Sequence, residues 1–545
     1  MKRVAVSPLW VVTLSSLWMA LVGNGALWRK LGELSMLDGL GGAAFGLGML
    51  VMIWGALAAL LGALAWRLTL KPAVTALLLA TAAMSYFMWG YRVVIDPTMI
   101  DNLLQTDVRE ASGLFSVKML LSLALFALLP IWLLWRQPVN YGGLRRQLLR
   151  NPLVAVSALC MMLIAAVAIF QPMASLMRNH KEVRYLINPL NGVYSLARVA
   201  LRPLERNDSV LVPVGEDARL GRSHAGRARP PLLLLVLGET ARSANFSING
   251  YARPTTPEME RAQAASFRNA WSCGTSTAAS VPCMFSNLTR DKFEDRKTAF
   301  EGLLDVLQRA GLAVLWVDNQ SGCKGVCARV PTVSTADLKD PKFCASGECL
   351  DEIMLQGLED RIAALDAARR ARGVVVVLHQ MGSHGPAYYR RSPKSFKRFM
   401  PECTSSALQD CSRDSVINAY DNTIVYTDHF LGQTIDWLKR QQATADTAMV
   451  YVSDHGESLG ENNLYLHGLP YAVAPDVQKK VPWVTWLSPG YEKTTGLTTA
   501  CLRGRRDAEV SHDNYFHSVL GLMDVSTAAY QVGMDAYAPC RPGLR

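Results

Sequence analysis

Apolar residues crowd the first third of the chain. Five stretches there approach or exceed the roughly 20 apolar residues that a helix needs to cross a bilayer. They are Leu9–Leu27, Leu40–Trp66, Pro72–Tyr91, Ser116–Trp135 and Pro152–Phe170. The second is long and Gly-rich, so it can tilt or shift in register. A cleaved signal peptide is disfavoured for the first, because four more spans follow and no small-residue cleavage site is evident. From Gln171 to about Glu205, basic Arg178, His180, Lys181 and Arg184 mix with apolar Leu176, Val183, Leu186 and Ile187. That pattern predicts an interfacial amphipathic helix, interrupted at Asn188-Pro189. Residues Asn207–Pro230 are Gly-, Asp- and Arg-rich without a period and read as a linker.

At Pro231 the pattern changes. Short, wholly apolar runs recur at Leu232–Leu237, Ala313–Val317, Val374–Leu378 and Ala448–Ser453. Runs of this length suit strands buried on both faces of a parallel sheet. Helical patterns separate them at Phe300–Arg309, Asp351–Arg372 and Ser415–Arg440. The expected architecture is an α-helical five-span membrane domain over 1–171, a bridging helix and linker over 172–230, and an extracytoplasmic α/β domain with a central, mostly parallel sheet over 231–545. Each apolar run ends in polar residues: Glu239, Asn319, His379 and Asp454-His455. Ligands of open α/β sheets collect at the carboxyl ends of strands.

Charge sets the expected orientation. Lys2, Arg3, Arg67, Lys71, Arg136, Arg145, Arg146 and Arg150 fall in one set of loops. The alternate set mixes Arg29, Lys30, Arg92 and Arg109 with six carboxylates. The more positive side faces the cytoplasm, so the N-terminus is cytoplasmic and everything after Phe170 lies outside. Of the net charge of +11, residues 1–171 carry +7. The basicity is therefore largely topological and not a nucleic-acid signature. Cysteine agrees. Ten of eleven follow residue 270, and Cys160 lies in a span. Cys273/Cys283, Cys323/Cys327, Cys344/Cys349 and Cys403/Cys411 are close pairs, with Cys501 and Cys540 left as a long-range fifth. Even counts in a translocated segment read as disulfides. Zinc knuckles are the weaker reading because the spacings differ, and spacing does not fix the connectivity.

The candidate chemistry centres on Trp271–Cys283, where two cysteines bracket a run of hydroxyls that includes Thr277. A stapled Ser/Thr-rich turn is the competing reading of this stretch alone. Glu239, Asp454 and His455 supply the oxygen and nitrogen donors of a catalytic zinc site, with the Thr277 oxygen as fourth ligand. Zinc lowers the pKa of a bound oxygen by several units, which a threonine needs in order to attack phosphorus. The Gly-flanked His384 and His467 suit a second metal or a substrate phosphate, and His379 is a weaker candidate. His180, His224, His429, His512 and His517 read as structural or surface residues. Asn319 and Lys324 flank Ser321-Gly322-Cys323 and suit an anionic phosphate. After the third span, Asn102, Thr106 and Glu110 recur at four-residue spacing. A helix would place them on one face, where they could meet a lipid headgroup.

Together these stretches resemble the lipid A phosphoethanolamine transferases of Gram-negative envelopes, the family that includes the mobile colistin-resistance enzymes. The resemblance covers almost the whole chain. It is carried by Gly238-Glu239-Thr240-Ala241-Arg242, Ser272-Cys273-Gly274-Thr275-Ser276-Thr277, Asn319-Gln320-Ser321-Gly322-Cys323-Lys324, Met381-Gly382-Ser383-His384-Gly385-Pro386, Ser453-Asp454-His455-Gly456-Glu457 and His467-Gly468. It implies an alkaline-phosphatase/sulfatase-like catalytic domain in the periplasm, anchored in the inner membrane as a monomer. It implies zinc on Glu239, Thr277, Asp454 and His455, with Thr277 as nucleophile. A second zinc or the substrate phosphate would lie on His384 and His467, one of which protonates the leaving alcohol. Asn319 and Lys324 would contact the phosphoethanolamine group. Phosphatidylethanolamine is the implied donor and a lipid A phosphate the acceptor, with polymyxin resistance as the outcome. The alternatives are transfer to a lipopolysaccharide core sugar and an inactive membrane-anchored binding protein. A sulfatase is disfavoured, since neither Cys273 nor Cys283 begins a Cys-x-Pro-x-Arg sequence.

Overall fold

The computed structural model describes residues 4–105, 114–224, 227–335, 338, 340–345 and 348–541. The chain divides into two compact units, Met1–Ile100 with Phe115–Ala200, and Asp101–Leu114 with Leu201–Arg545. The division falls inside the helix Leu190–Glu205.

The first unit is helical. Among the described residues, Gly39–Ala63, Leu70–Gly90, Val117–Arg136 and Leu144–Ala168 are long and apolar enough to cross a membrane. The pair Pro8–Leu21 and Gly25–Glu33, bent by 44°, makes a fifth if it is one span. The break replaces the continuous first helix expected over Leu9–Leu27, and its cause is local. A Cβ on Gly23 would lie 2.3 Å from Thr81 Cγ2 and 2.6 Å from the Met19 carbonyl oxygen. Asn24 donates to the carbonyls of Met19 and Asn188, and the Asn188 N–H donates back to Asn24 Oδ1 at 2.8 Å. Buried amides thus occupy backbone groups that the break releases. Gly39–Ala63 packs on Leu144–Ala168 through small residues: a Cβ on Gly55 would sit 2.9 Å from the Ala158 carbonyl oxygen. Close backbone approach of this kind holds helices together in lipid.

The second unit is built on an eight-stranded sheet. In chain order its strands are β1 Pro231–Gly238, β2 Ala265–Trp271, β3 Ala313–Asp318, β4 Thr332–Ser334, β5 Val374–His379, β6 Asp446–Ser453, β7 Lys480–Leu487 and β8 Glu509–Ser511. The spatial order is β8-β2-β7-β6-β1-β5-β3-β4, and β7 alone runs against the rest. The four expected apolar runs are β1, β3, β5 and β6, side by side at the centre and buried along their whole length. Leu233 pairs with Val375 on one side and Ala448 on the other. This register brings the carboxyl ends of the four strands to one edge.

The expected linker is not structureless. Asn207–Val212 pairs parallel with Thr298–Phe300, and Arg219–Leu220 pairs antiparallel with Val525–Ser526. The segment is a strap on the α/β unit. It is held by backbone pairing and by Asp524, whose carboxylate accepts the Ser223 N–H at 2.9 Å. Such bonds leave no apolar period to read. All five cysteine pairs form disulfides: Cys273–Cys283, Cys323–Cys327, Cys344–Cys349, Cys403–Cys411 and Cys501–Cys540.

Candidate active site

Glu239 follows β1, and Asp454 and His455 follow β6. All three are fully buried. One donor atom from each lies within 4.8 Å of the others. His455 Nε2 is 3.4 Å from Glu239 Oε1 and 3.4 Å from Asp454 Oδ2. The other imidazole nitrogen, Nδ1, lies 2.9 Å from the Gly456 carbonyl oxygen. As a donor there, it aims Nε2 at the carboxylates. Asp454 Oδ1 accepts the N–H groups of Thr240 and His455 at 3.1 and 2.7 Å. Asp454 Oδ2 is buried with no hydrogen-bond partner. A buried oxygen with no donor, beside a second carboxylate and an imidazole, is what a divalent cation would satisfy. The donor set fits zinc. Cys273, Cys283 and Asp513 also lie together, but those two sulfurs are bonded to each other.

Thr277 reaches this cluster from the first position of the helix Thr277–Met284. Its Oγ1 donates to Glu239 Oε2 at 3.0 Å and lies 3.5 Å from His455 Nε2. The helix is fixed at its far end: Phe285 packs on Trp316 and Tyr515, with ring centroids 5.7 and 5.3 Å apart. The preceding loop is held by the Cys273–Cys283 bond, by Gly274 N–H to Ser280 Oγ at 2.9 Å, and by Thr275 Oγ1 to the Leu469 carbonyl at 2.6 Å. An ordinary hydroxyl is thus held in one direction.

The charges are interdependent. Burial would raise the Glu239 carboxyl, but the hydrogen bond and charge of His455, with His384 beyond, hold it well below the usual carboxylate range. Burial pushes Asp454 up, and the like charge of Glu239 adds to this. Burial would lower His455, yet Asp454 and Glu239 raise it. Protons and a cation compete for these atoms, so metal binding releases protons.

Two more histidines complete the edge. His467 lies 4.2 Å from His455 and 5.9 Å from His384 between ring centroids. Its Nδ1 is 3.3 Å from Glu457 Oε1. Burial and the charge of His455 lower its pKa. Gly468 N–H donates to the Thr275 carbonyl at 2.8 Å, tying the His467 loop to the loop that precedes Thr277.

The other candidates bond chiefly to groups outside the Glu239–Asp454–His455 cluster. His379 is buried with Nδ1 3.0 Å from Asp318 Oδ2, an oxygen that also accepts Trp316 Nε1–H at 2.7 Å. Asn319 is committed within the protein: Nδ2 donates to the Cys349 carbonyl and Asp351 Oδ1 at 2.9 and 2.7 Å, and Oδ1 accepts from Thr335. Lys324 donates to Ser321 Oγ at 2.9 Å. Asn102 lies half-buried on the helix Pro97–Gln105. Thr106 and Glu110 lie outside the described residues.

Two further residues border the cluster. Gln320 Nε2 donates to Glu239 Oε2 at 2.8 Å. His512 accepts the Cys273 N–H on Nδ1 at 3.0 Å, while its Nε2 lies 3.0 Å from the Ser453 carbonyl oxygen. It joins the Cys273 loop to the end of β6. The adjacency of Gln320 to Asn319 was a usable signal; nothing local marked His512.

A family model described as phosphoethanolamine transferase EptA/EptB matches residues 53–204, and one described as sulfatase matches residues 231–525. The phosphoethanolamine transferase EptA of Escherichia coli K12 is 38% identical, over 99% of this chain and 98% of its own length. The chain belongs to the phosphoethanolamine transferase family. The family likeness extends to the phosphatidylethanolamine transferase Mcr-1 of Escherichia coli, 36% identical over 96% of each chain. Among solved structures, the integral membrane lipooligosaccharide phosphoethanolamine transferase A from Neisseria meningitidis superposes with a TM-score of 0.93. It is 34% identical, over 99% of this chain and 100% of that one. The phosphoethanolamine transferase fold, helices followed by a sulfatase-like α/β domain, is therefore present end to end.

Proposed function

We propose that this protein is a membrane-bound, zinc-dependent enzyme that moves phosphoethanolamine from phosphatidylethanolamine to a phosphate of lipid A. The observation that carries the reading is Thr277 Oγ1, held 3.0 Å from Glu239 and 3.5 Å from His455 beside the unpartnered Asp454 Oδ2. Glu239, Asp454 and His455 would hold the zinc. When bound, it supplies Lewis-acid chemistry, lowering the pKa of a nearby hydroxyl and offsetting negative charge on phosphoryl oxygen.

The residues of the chain do the rest. Thr277 Oγ1 gives its proton to His467 or His384 and attacks the phosphorus of the donor; a Thr277–phosphoester bond forms, and the bond to the glycerol oxygen breaks. His467, oriented by Glu457, or His384 protonates the departing diacylglycerol. An oxygen of the acceptor phosphate then attacks the same phosphorus, and Thr277 regains its proton. This is a double displacement through a covalent intermediate. Asn319, fixed by Asp351, shapes the phosphate side of the pocket, and Lys324 supplies positive charge there. Asn102, with Thr106 and Glu110, would meet the lipid headgroup. The N-terminus faces the cytoplasm and the α/β unit the periplasm of a bacterial inner membrane, where the five disulfides are stable.

The test is mass spectrometry of lipid A from cells expressing the protein or Thr277→Ala. The wild type adds phosphoethanolamine to lipid A and raises polymyxin resistance; the variant does neither. Modification of a core sugar alone would replace the acceptor assignment, and a fully active Thr277→Ala would defeat the nucleophile.

A further inference from the structure

Beside the metal-type cluster, the α/β unit holds a cavity of about 390 Å³ that the reaction above does not use. It lies between the Cys344–Cys349 hairpin and the segment Tyr389–Pro393. Its volume is within the range of small-ligand sites, roughly 300–1,000 Å³. Met381 and Gly382 line it; their N–H groups bond to Asp351 at 2.8 and 3.0 Å. Gly382 also abuts the metal-type cluster, since a Cβ on it would come within 2.7 Å of the Glu239 carbonyl oxygen.

The cavity is lined by more cationic groups than the fold consumes. Arg391 is spent: it donates to Glu348 Oε2 at 2.7 Å and to the His384 carbonyl at 2.9 Å. Asp351 is spent on its N–H donors. Arg390 donates to the Tyr389 hydroxyl at 3.2 Å and Lys342 lies over the Phe343 ring at 4.8 Å. Neither is in an ion pair within 4.0 Å among the described residues, although the charge of Lys342 reaches Glu352. Ser392 lines the same cavity, is 5% exposed, and its buried Oγ has no hydrogen-bond partner among the described residues. A buried hydroxyl without a partner costs free energy unless a ligand or water satisfies it. Two exposed cations outside any close ion pair, beside a buried hydroxyl that lacks a partner, are recognition groups for a phosphate monoester.

We propose that this cavity is a second phosphate subsite. It takes a non-reacting phosphate of the acceptor's sugar headgroup on Lys342, Arg390 and Ser392, while the other phosphate meets the Thr277 adduct. The proposal rests on the transferase reading. Arg391, bonded to the His384 carbonyl, links the filled subsite to the loop that carries His384. The subsite acts on the second half-reaction and leaves the first untouched.

The test uses the full-length, zinc-loaded protein in detergent. Formation of the adduct from phosphatidylethanolamine is measured first. Its discharge is then measured with a glucosamine disaccharide carrying either one phosphate or two. The wild type should discharge to the bisphosphate at about tenfold or more lower concentration than to the monophosphate, the effect of one charge-assisted contact. Lys342→Ala/Arg390→Ala should form adduct at the wild-type rate and lose that preference. Inorganic phosphate should erode the preference in the wild type and change nothing in the variant. A variant that keeps the preference, or a wild type without one, overturns the subsite. Absence of adduct in the wild type overturns instead the transferase reading beneath it. If the double variant forms little adduct, Arg390→Gln decides by the same ratio.

Discussion

Thr277 is unremarkable in composition and decisive in position. Its motif was legible because cysteines bracket it and because Glu239, Asp454 and His455 each end an apolar run. What could not be read was the layer behind them. Gln320, just beyond β3 and two strands away from β1, fixes a Glu239 oxygen, and such a contact has no sequence period. Outer-shell partners of metal ligands typically matter by 10–100-fold. Gln320→Ala should therefore weaken zinc binding by about tenfold or more in a chelator competition, with the fold intact by circular dichroism. His512 reads as structural or surface in the sequence; it is buried and bonds the Cys273 loop to the end of β6. Burial lowers its pKa to about 3. The unfolded chain takes up a proton near the ordinary value of about 6.5, while the folded His512 stays neutral. Its contribution to stability is complete above about 6.5 and falls as the pH drops towards 3, by at most about 1.4 kcal/mol per unit. Thermal midpoints between pH 7 and 4 should fall more steeply for the wild type than for His512→Gln.

Elements formed where apolar period was strong, and broke where side-chain bonding or turns overrode it. The four central strands were legible because burial on both faces writes a continuous apolar run. The outer strands β2 and β7 mix Ser266, Arg268 or Thr485 with large apolar residues, and their pairing with distant partners leaves no local sign. The helix expected over Asp351–Arg372 is three short pieces. Gly357 takes a positive φ of 61°, and Asp366 caps a new start at Arg369 N–H. Asp351, at the start of the first piece, accepts the N–H groups of Met381 and Gly382 on its carboxylate and so holds the His384 loop. Gly382 has φ +51°, and an added Cβ would strike Glu239. Gly382→Ala should cost about 1–3 kcal/mol through backbone strain alone. It should also lower zinc occupancy, as read by metal analysis of the purified protein, since the displaced backbone belongs to Glu239.

For the whole molecule, the sequence pattern separates an apolar helical part from a disulfide-bearing α/β part; the compact units of the structure have other bounds, with Asp101–Leu114 in the second unit and the first running to Ala200. The boundary was less legible. The strap over Asn207–Pro230 is polar, and its pairing with Thr298–Phe300 and Val525–Ser526 is invisible to periodicity. The proposed reaction rests on a single oxygen, Thr277 Oγ1, beside the Glu239–Asp454–His455 cluster. The most direct test is peptide mass spectrometry of the full-length, zinc-loaded protein after exposure to vesicles of phosphatidylethanolamine without acceptor. The account predicts one phosphoethanolamine group on the peptide that contains Thr277, removed by adding lipid A and absent when zinc is chelated. An unmodified Thr277 peptide in a preparation that still transfers the group to lipid A would contradict it.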